Sequence, residues 1–386
     1  MDSSRMDNHK RVYFPNLNGL RAIGACIVLI GHIEFLKIFW KLPSYQWFPV
    51  PGKIGVALFF AISGFLITSL LIQELDVTKT VALKKFYTRR ILRIWPLYYL
   101  IIILSIFVFN QIDFLKFPGL SHNVINNLSL TNIIILILLL PNFTNYFIPY
   151  ADQRWSIIVE EQFYLMQPIL IKVFKNRIVL AMIFIVIVLS PNIFDFMINK
   201  YFKNSFHNNN LLYAIITQLK YLSCIALGCF FSILFFKKEN KVKRFFFNKA
   251  VQYIVLIILI VCVSIGHFIL FKEEVIDYRI YTFLFSIIVL NACQNPRTIF
   301  RLEYPIFNFL GKISYGIYMY HPVCIGLSLA LASSFTNIIA QNFILYVLSI
   351  SLTIFISWVS FTYFESSFLK LKSKFEILKT SPKSFQ

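Results

Sequence analysis

With 386 residues, 58% hydrophobic and only 14% charged, the chain is too apolar for an ordinary soluble domain, in which roughly a quarter of residues are charged. Its mean hydropathy of +0.71 and its succession of long apolar runs define a polytopic membrane protein. The net charge of +20 does not signal nucleic acid, because the lysines and arginines fall in short loops between apolar runs, where topology bias and anionic lipid account for them.

The first run, Leu17–Leu36, carries Arg21 and His32 within what would otherwise be uninterrupted hydrocarbon. Eleven residues of α-helix rise about 16 Å and turn about 1,100°, so the two side chains share one face, a good half of the hydrocarbon thickness apart. Arg21 interrupts the run and no small-x-small cleavage site follows, so a first span is expected rather than a removed signal. The second run, Ile54–Ile72, places Ser63 and Gly64 mid-helix, where small residues let helices approach. KKFYTRRILRIWPLYY (84–99) leads into the third, Ile94–Phe109. Lys84, Lys85 and Arg89 read as interfacial anchors, whereas Arg90 and Arg93 lie three apart on one face, suited to gripping phosphate from two sides.

The next run, Leu128–Leu140, has thirteen residues and stops at Pro141, which suits a re-entrant or interfacial segment better than a span. Trp155–Ile171 holds WSIIVEEQFYLMQP, where Glu160 and Glu161 point about 100° apart and so face different partners. Carboxylates are expensive in hydrocarbon, so these are functional candidates unless they merely pair with an arginine such as Arg154. Glu160 is expected in the outer part of the bilayer beside His32, where it would fix the imidazole tautomer. Further spans are expected at Ile178–Phe194, Leu211–Phe236, Ala250–Phe271, Ile280–Leu290, Ile313–Leu331 and Phe343–Phe364. GKISYGIYMYHPV (311–323) sets three tyrosines and His321 ahead of Pro322, and Tyr318 and His321 join Ser63 as candidates for substrate contact. Lys220 and His267 stand alone and read as structural or cavity-lining.

Ten crossings with the N-terminus inside place 26 of the 37 lysines and arginines on the inner side and 9 outside. An additional crossing at the thirteen-residue run would destroy that bias. The expected fold is therefore all-α: a polytopic bundle of ten transmembrane helices plus one short re-entrant or interfacial segment. Residues 1–16 and a basic, lipid-lying tail at 366–386 are both expected in the cytoplasm. The six cysteines lie in apolar segments without a C-x-x-C pair, which argues against a disulfide framework or a zinc site. No Walker A or G-x-G-x-x-G motif points to an ATP-driven pump or a dinucleotide enzyme.

Taken in order, NLNGLRAIGACIVLIGH, FFAISGFLI, RRILRIWPLYY, WSIIVEEQFYLMQP and GKISYGIYMYHPV resemble the acyltransferase-3 family of integral membrane acyltransferases, from about Phe14 to Phe364. The resemblance implies a membrane acyltransferase domain over residues 17–365, in a bacterial cell membrane. It also implies transfer of an acyl group, usually acetyl, from cytoplasmic acyl-CoA to a hydroxyl of a surface or exported polysaccharide or a lipid-linked saccharide. The family's arginine-x₁₀-histidine signature falls on Arg21 and His32, its arginine pair on Arg90 and Arg93, and its W-S-x-x-V-E glutamate on Glu160. On this reading Arg21, Arg90 and Arg93 hold the phosphates of acetyl-CoA, and the pantetheine arm follows the stripe to His32. His32, oriented by Glu160, is the general base, and no metal is required. Asn18 stands where many members have aspartate, and the sequence shows no counterpart of the hydrolase-like periplasmic domain that some members carry. The expected partners are a glycan and membrane lipid, not nucleic acid. The competing reading is a transporter that moves a glycan or small anion past Arg21, His32 and Glu160. The paired broken helices of inverted repeats that would favour it are not visible in the sequence.

Overall fold

The computed structural model describes residues 12–43, 52–116, 129–140, 148–201, 210–236, 241–265 and 274–378. Among them no strand forms: helices joined by short turns make up the described chain, as hydrocarbon demands of backbone that cannot hydrogen-bond to solvent. The helices are α1 (Leu17–Lys37), α2 (Gly52–Thr78), α3 (Leu83–Phe107), α4 (Leu130–Ile137), α5 (Arg154–Val173), α6 (Arg177–Tyr201) and α7 (Asn210–Phe236). They continue with α8 (Lys241–Phe247), α9 (Lys249–Ile265), α10 (Glu274–Gln294), α11 (Pro305–Lys312), α12 (Ser314–Ala332), α13 (Ile338–Ser360) and α14 (Ser366–Ser373).

A helix occupies each of the ten intervals expected as spans. Seven described helices (α1, α2, α3, α6, α7, α12 and α13 with its extension) are long and apolar enough to cross a membrane. The α8–α9 pair, bent by 60°, adds an eighth if it acts as one span. Ionisable residues, among them Glu160 and Glu161, keep α5 outside that count despite its 20 residues. The thirteen-residue run forms the eight-residue α4, about 12 Å long and too short to cross. α3 begins at Leu83, not Ile94, so the basic stretch at 84–93 is itself helical and its arginines keep fixed angular positions.

α2 is the axis of the bundle, packed on α1, α5, α7 and α10. Its approach to α7 depends on two glycines. A Cβ on Gly64 would stand 2.1 Å from the Ile225 carbonyl oxygen, and one on Gly228 would stand 2.5 Å from that of Ala61. Polar links continue this seam: Ser69 and Ser232 share a hydrogen bond of 2.8 Å, and Gln167 of α5 donates to Thr68 at 2.6 Å. α12 packs along α13 over a buried row of Ser349, Thr353 and Ser357, again small side chains that permit close contact. The opposite faces carry exposed apolar residues, such as Met182, Val186, Leu189 and Ile193 on α6, which suits lipid.

Residues 366–378 return to the bundle. α13 runs through a π turn (Phe361–Glu365) into α14, which packs on α3, and the Phe375 carbonyl accepts from Arg89 Nη1 at 2.8 Å. The physical reason is apolar: Phe375, Ile377 and Leu378 are half-buried, with Leu378 against the core. Lys220, expected to be structural or cavity-lining, forms an ion pair of 2.9 Å with Asp195 of α6. His267 and the terminal segments 1–11 and 379–386 lie outside the described residues.

The α2–α7 seam makes a stability prediction. Gly64→Ala should force the two helices apart and lower the melting temperature in detergent, at a cost of about 1–3 kcal/mol for overpacking. An unchanged melting curve would mean that the seam is not under close contact.

Candidate active site

Five helices converge on one chamber. Arg21 projects from the first turns of α1, whose start is pinned by Asn16: its side chain donates to the Ala292 carbonyl at 2.9 Å and accepts from the Leu302 N–H at 2.7 Å. Arg90 and Arg93 enter from α3, Ser156, Glu160 and Tyr164 from α5, and Tyr315 and Tyr318 from α12, with Ser63 of α2 completing the wall. The cavity holds about 100 Å³. It adjoins a second cavity of about 290 Å³, which shares Arg21, Arg90 and Arg93 and adds Arg89, Lys312 and Lys372.

Three guanidiniums inside a bundle repel one another and need compensation. Glu160 supplies a charge: it accepts from Tyr164 Oη at 3.0 Å and from the Ser63 hydroxyl, and its field reaches Arg90 and Arg21. The Arg90 guanidinium also lies over the rings of Tyr164 and Phe86, at 5.4 and 5.5 Å, where the π faces attract a cation. The Arg90 Nε is buried with no partner among the described residues, so a donor is left over for an anion. Glu161 points elsewhere, as two adjacent helical positions must, and accepts from Trp95 Nε1 at 3.0 Å to tie α5 to α3. Arg154, the alternative partner for these carboxylates, instead faces Asp152 at 3.8 Å.

The chamber is closed toward the His32 end by a polar lock between α5 and α12. Ser156 Oγ and Tyr318 Oη share a bond of 2.5 Å, Tyr318 also donates to the Gln153 carbonyl at 3.0 Å, and Gln153 Nε2 reaches the Met319 carbonyl at 2.9 Å. One turn further along α12 stands His321, and against it stands His32, with ring centroids 4.7 Å apart. His32 Nδ1 lies 2.8 Å from the Val28 carbonyl, which can only accept, so this nitrogen carries the hydrogen. The first residue of α2 presses on the same ring. A Cβ on Gly52 would come within 2.6 Å of His32 Cε1, so only glycine leaves the imidazole its place.

Of the expected site residues, Arg21, Arg90, Arg93, Ser63, Glu160 and Tyr318 line one cavity, while His32 and His321 form a separate pair beyond it. The expected contact of Glu160 with His32 does not form: the hydrogen-bond partners of the carboxylate are Ser63 and Tyr164, and the carboxylate whose charge reaches His32 is Asp152. The reason is local: Tyr164 lies one turn along the same helix and Ser63 faces it from α2, so two hydroxyl donors hold the carboxylate in the chamber. Sequence reading took Arg89 for an interfacial anchor; it bonds to Glu74 at 3.3 Å beside the larger cavity. Its spacing of four from Arg93 put both on one helical face and was a usable signal. Ser156 carried the same signal, standing four residues before Glu160 on one helical face, whereas no local signal announces Lys372 as a lining residue. Asn18, at the position where relatives of the motif often have aspartate, donates to Asn308 Oδ1 at 3.2 Å, a bond that an aspartate could not give.

A helical membrane protein with a cationic chamber at one end of a stripe and an imidazole pair at the other is the class that this fold and site define. The chain belongs to the acyltransferase-3 family, whose acyltransferase domain matches residues 14–362. It is 30% identical over 94% of its length to a Staphylococcus aureus (strain COL) protein named "Putative O-acetyltransferase", of which it spans 58%. It is 26% identical over 95% of its length to a Listeria monocytogenes protein named peptidoglycan O-acetyltransferase, of which it spans 57%. The chain thus covers little more than half the length of these curated relatives. A protein of the Acidianus two-tailed virus, named as an acetyltransferase, is 28% identical over 80% of the chain and 82% of its own length. No solved structure matches.

Glu160 is testable as the counter-charge of the chamber. Glu160→Ala should destabilise the detergent-solubilised protein by about 1–3 kcal/mol, the cost of leaving the Ser63 and Tyr164 hydroxyls without their acceptor. Thermal melting reads this, and a wild-type melting temperature in the variant would show that the arginines do not need the carboxylate.

Proposed function

We propose that the chain is a membrane O-acyltransferase that moves an acetyl group from cytoplasmic acetyl-CoA to a hydroxyl of a glycan or lipid-linked saccharide on the outer side. In this reading the polypeptide crosses the membrane ten times with both termini inside, which makes the Arg21 end the inner one. The observation that carries the proposal is the joining of Arg21, Arg90 and Arg93 in one chamber, with His32 about 16 Å further along the same helix face. Arginine suits phosphate because its planar fork donates two parallel hydrogen bonds. Toward the inner mouth the larger cavity adds Lys312 and two paired cations, Arg89 with Glu74 at 3.3 Å and Lys372 with Glu376 at 3.7 Å. The name of the Listeria relative makes peptidoglycan the first acceptor to try.

The chemistry follows from the two halves. The nucleotide and pyrophosphate stay with the arginines, and the thin pantetheine arm passes Tyr318 and Ser156 toward His32. Nε2 of His32, free because Nδ1 is held by the Val28 carbonyl, takes the proton of the acceptor hydroxyl as its oxygen attacks the thioester carbon. The C–S bond breaks and the thiolate departs with the electron pair. Glu160 acts on the chamber, where it holds the arginines in register through Ser63 and Tyr164.

Two variants separate the halves. Arg93→Ala should weaken acetyl-CoA binding by roughly 10- to 150-fold, the worth of a charge-assisted phosphate contact. A dissociation constant equal to wild type in an inserted, folded protein would return this arginine to interfacial anchoring. His32→Ala should keep donor binding and lose roughly 10²–10⁴-fold in acetyl transfer to peptidoglycan fragments or in hydrolysis of acetyl-CoA. Transfer at the wild-type rate would remove His32 from the reaction. A transporter would bind acetyl-CoA or a glycan without cleaving the thioester at all.

A further inference from the structure

We propose that His321 shares the proton that His32 takes up, so that the two imidazoles act as one base. The inference rests on the reading of His32 as proton acceptor given above. It begins with a feature of the sequence, the proline after His321. In an α-helix the N–H of residue 322 would donate to the carbonyl of residue 318, but Pro322 has no N–H. The freed Tyr318 carbonyl accepts instead from His321 Nδ1, at 2.8 Å. A carbonyl can only accept, so Nδ1 carries the hydrogen and the lone pair of His321 sits on Nε2.

That Nε2 is fully buried and has no hydrogen-bond partner among the described residues. Two polar rings touch His321. Tyr318, at 5.9 Å, has its hydroxyl committed to Ser156 and the Gln153 carbonyl. His32, at 4.7 Å, is the ring that remains, and its own Nδ1 is held by the Val28 carbonyl, so its lone pair is also on Nε2. Two neutral imidazoles, each with Nδ1 anchored to backbone, leave two lone pairs and no proton between them. The charged group whose field reaches His32 is Asp152, and the group whose field reaches His321 is His32 itself.

The reaction supplies the missing proton. When the acceptor oxygen bonds to the thioester carbon and the thiolate leaves with the C–S electron pair, the hydroxyl proton moves to Nε2 of His32. The two Nε2 atoms share no hydrogen bond while both rings are neutral; a turn of the protonated His32 ring brings its new N–H to Nε2 of His321, and the unpaired acceptor is satisfied once the positive charge is present. The proton then leaves through His32 to the departing thiolate, which restores both neutral rings. His321 is a positioning residue in this scheme: it touches the base and not the substrate.

The test uses the full chain in lipid nanodiscs. With ¹⁵N-labelled histidine, acidification to one added proton per pair should give an imidazole proton correlated with Nε2 of both His32 and His321, absent in His321→Phe. In parallel, acetyl-CoA hydrolysis with water as acceptor should fall roughly 10- to 100-fold in His321→Phe, the worth of one hydrogen bond to a charged group, at unchanged KM. His321→Gln, whose amide oxygen can stand near the lost Nε2, should recover most of that loss. Equal rates for the Phe and Gln variants, both folded by thermal melting, or a proton bound to His32 with no correlation to His321, would overturn the shared base. If the wild-type protein cleaves no acetyl-CoA, the acyl-transfer reading fails, and the correlation experiment still decides whether the rings share a proton.

Discussion

A guanidinium inside a helical bundle must be given counter-charge and polar company, and here that requirement fixes which helices meet. Arg21 on α1 and the Arg90–Arg93 pair on α3 occupy one chamber because α5 brings Glu160 and Tyr164 between them. Leaving any of these cations facing lipid would cost several kcal/mol. The wall is therefore closed by the remaining helices, with Ser63 of α2 and the tyrosines of α12 turned inward. The small residues of the α2–α7 seam serve the same end. By letting α2 sit deep in the bundle, they leave its Ser63 face free to reach α5.

Much of this was legible in the sequence, and the reasons are physical. Backbone in hydrocarbon must satisfy itself, so apolar runs gave the positions of the ten long helices, and the short run gave α4. The one-face argument for Arg21 and His32 needed nothing beyond helical geometry, and the divergence of Glu160 from Glu161 followed from the 100° step. What failed was depth and rotation between helices. Glu160 was expected opposite His32 because both were assigned to the same level, but its carboxylate accepts from the hydroxyls of Ser63 and Tyr164 inside the chamber. The basic stretch ahead of the third run looked like an anchor, yet α3 extends through it and turns Arg89 toward Glu74. The His32–His321 contact joins residues 289 positions apart and leaves no local trace, although the proline that frees the Tyr318 carbonyl is visible beside the histidine.

The two parts of the site also act on each other through space. Two unit charges about 16 Å apart, at the effective dielectric of about 20 that suits protein interiors, interact by about 1 kcal/mol. Arg21 thus opposes a developing imidazolium at His32 by no more than about 1 kcal/mol, and the charged group whose field reaches the ring is the Asp152 carboxylate, which favours the imidazolium. The separation of chamber and imidazoles along α1 then does two things at once. In the proposed reaction it matches the reach of a pantetheine arm, and it keeps the guanidiniums far enough from the base that they leave its proton affinity to Asp152 and to the neighbouring imidazole.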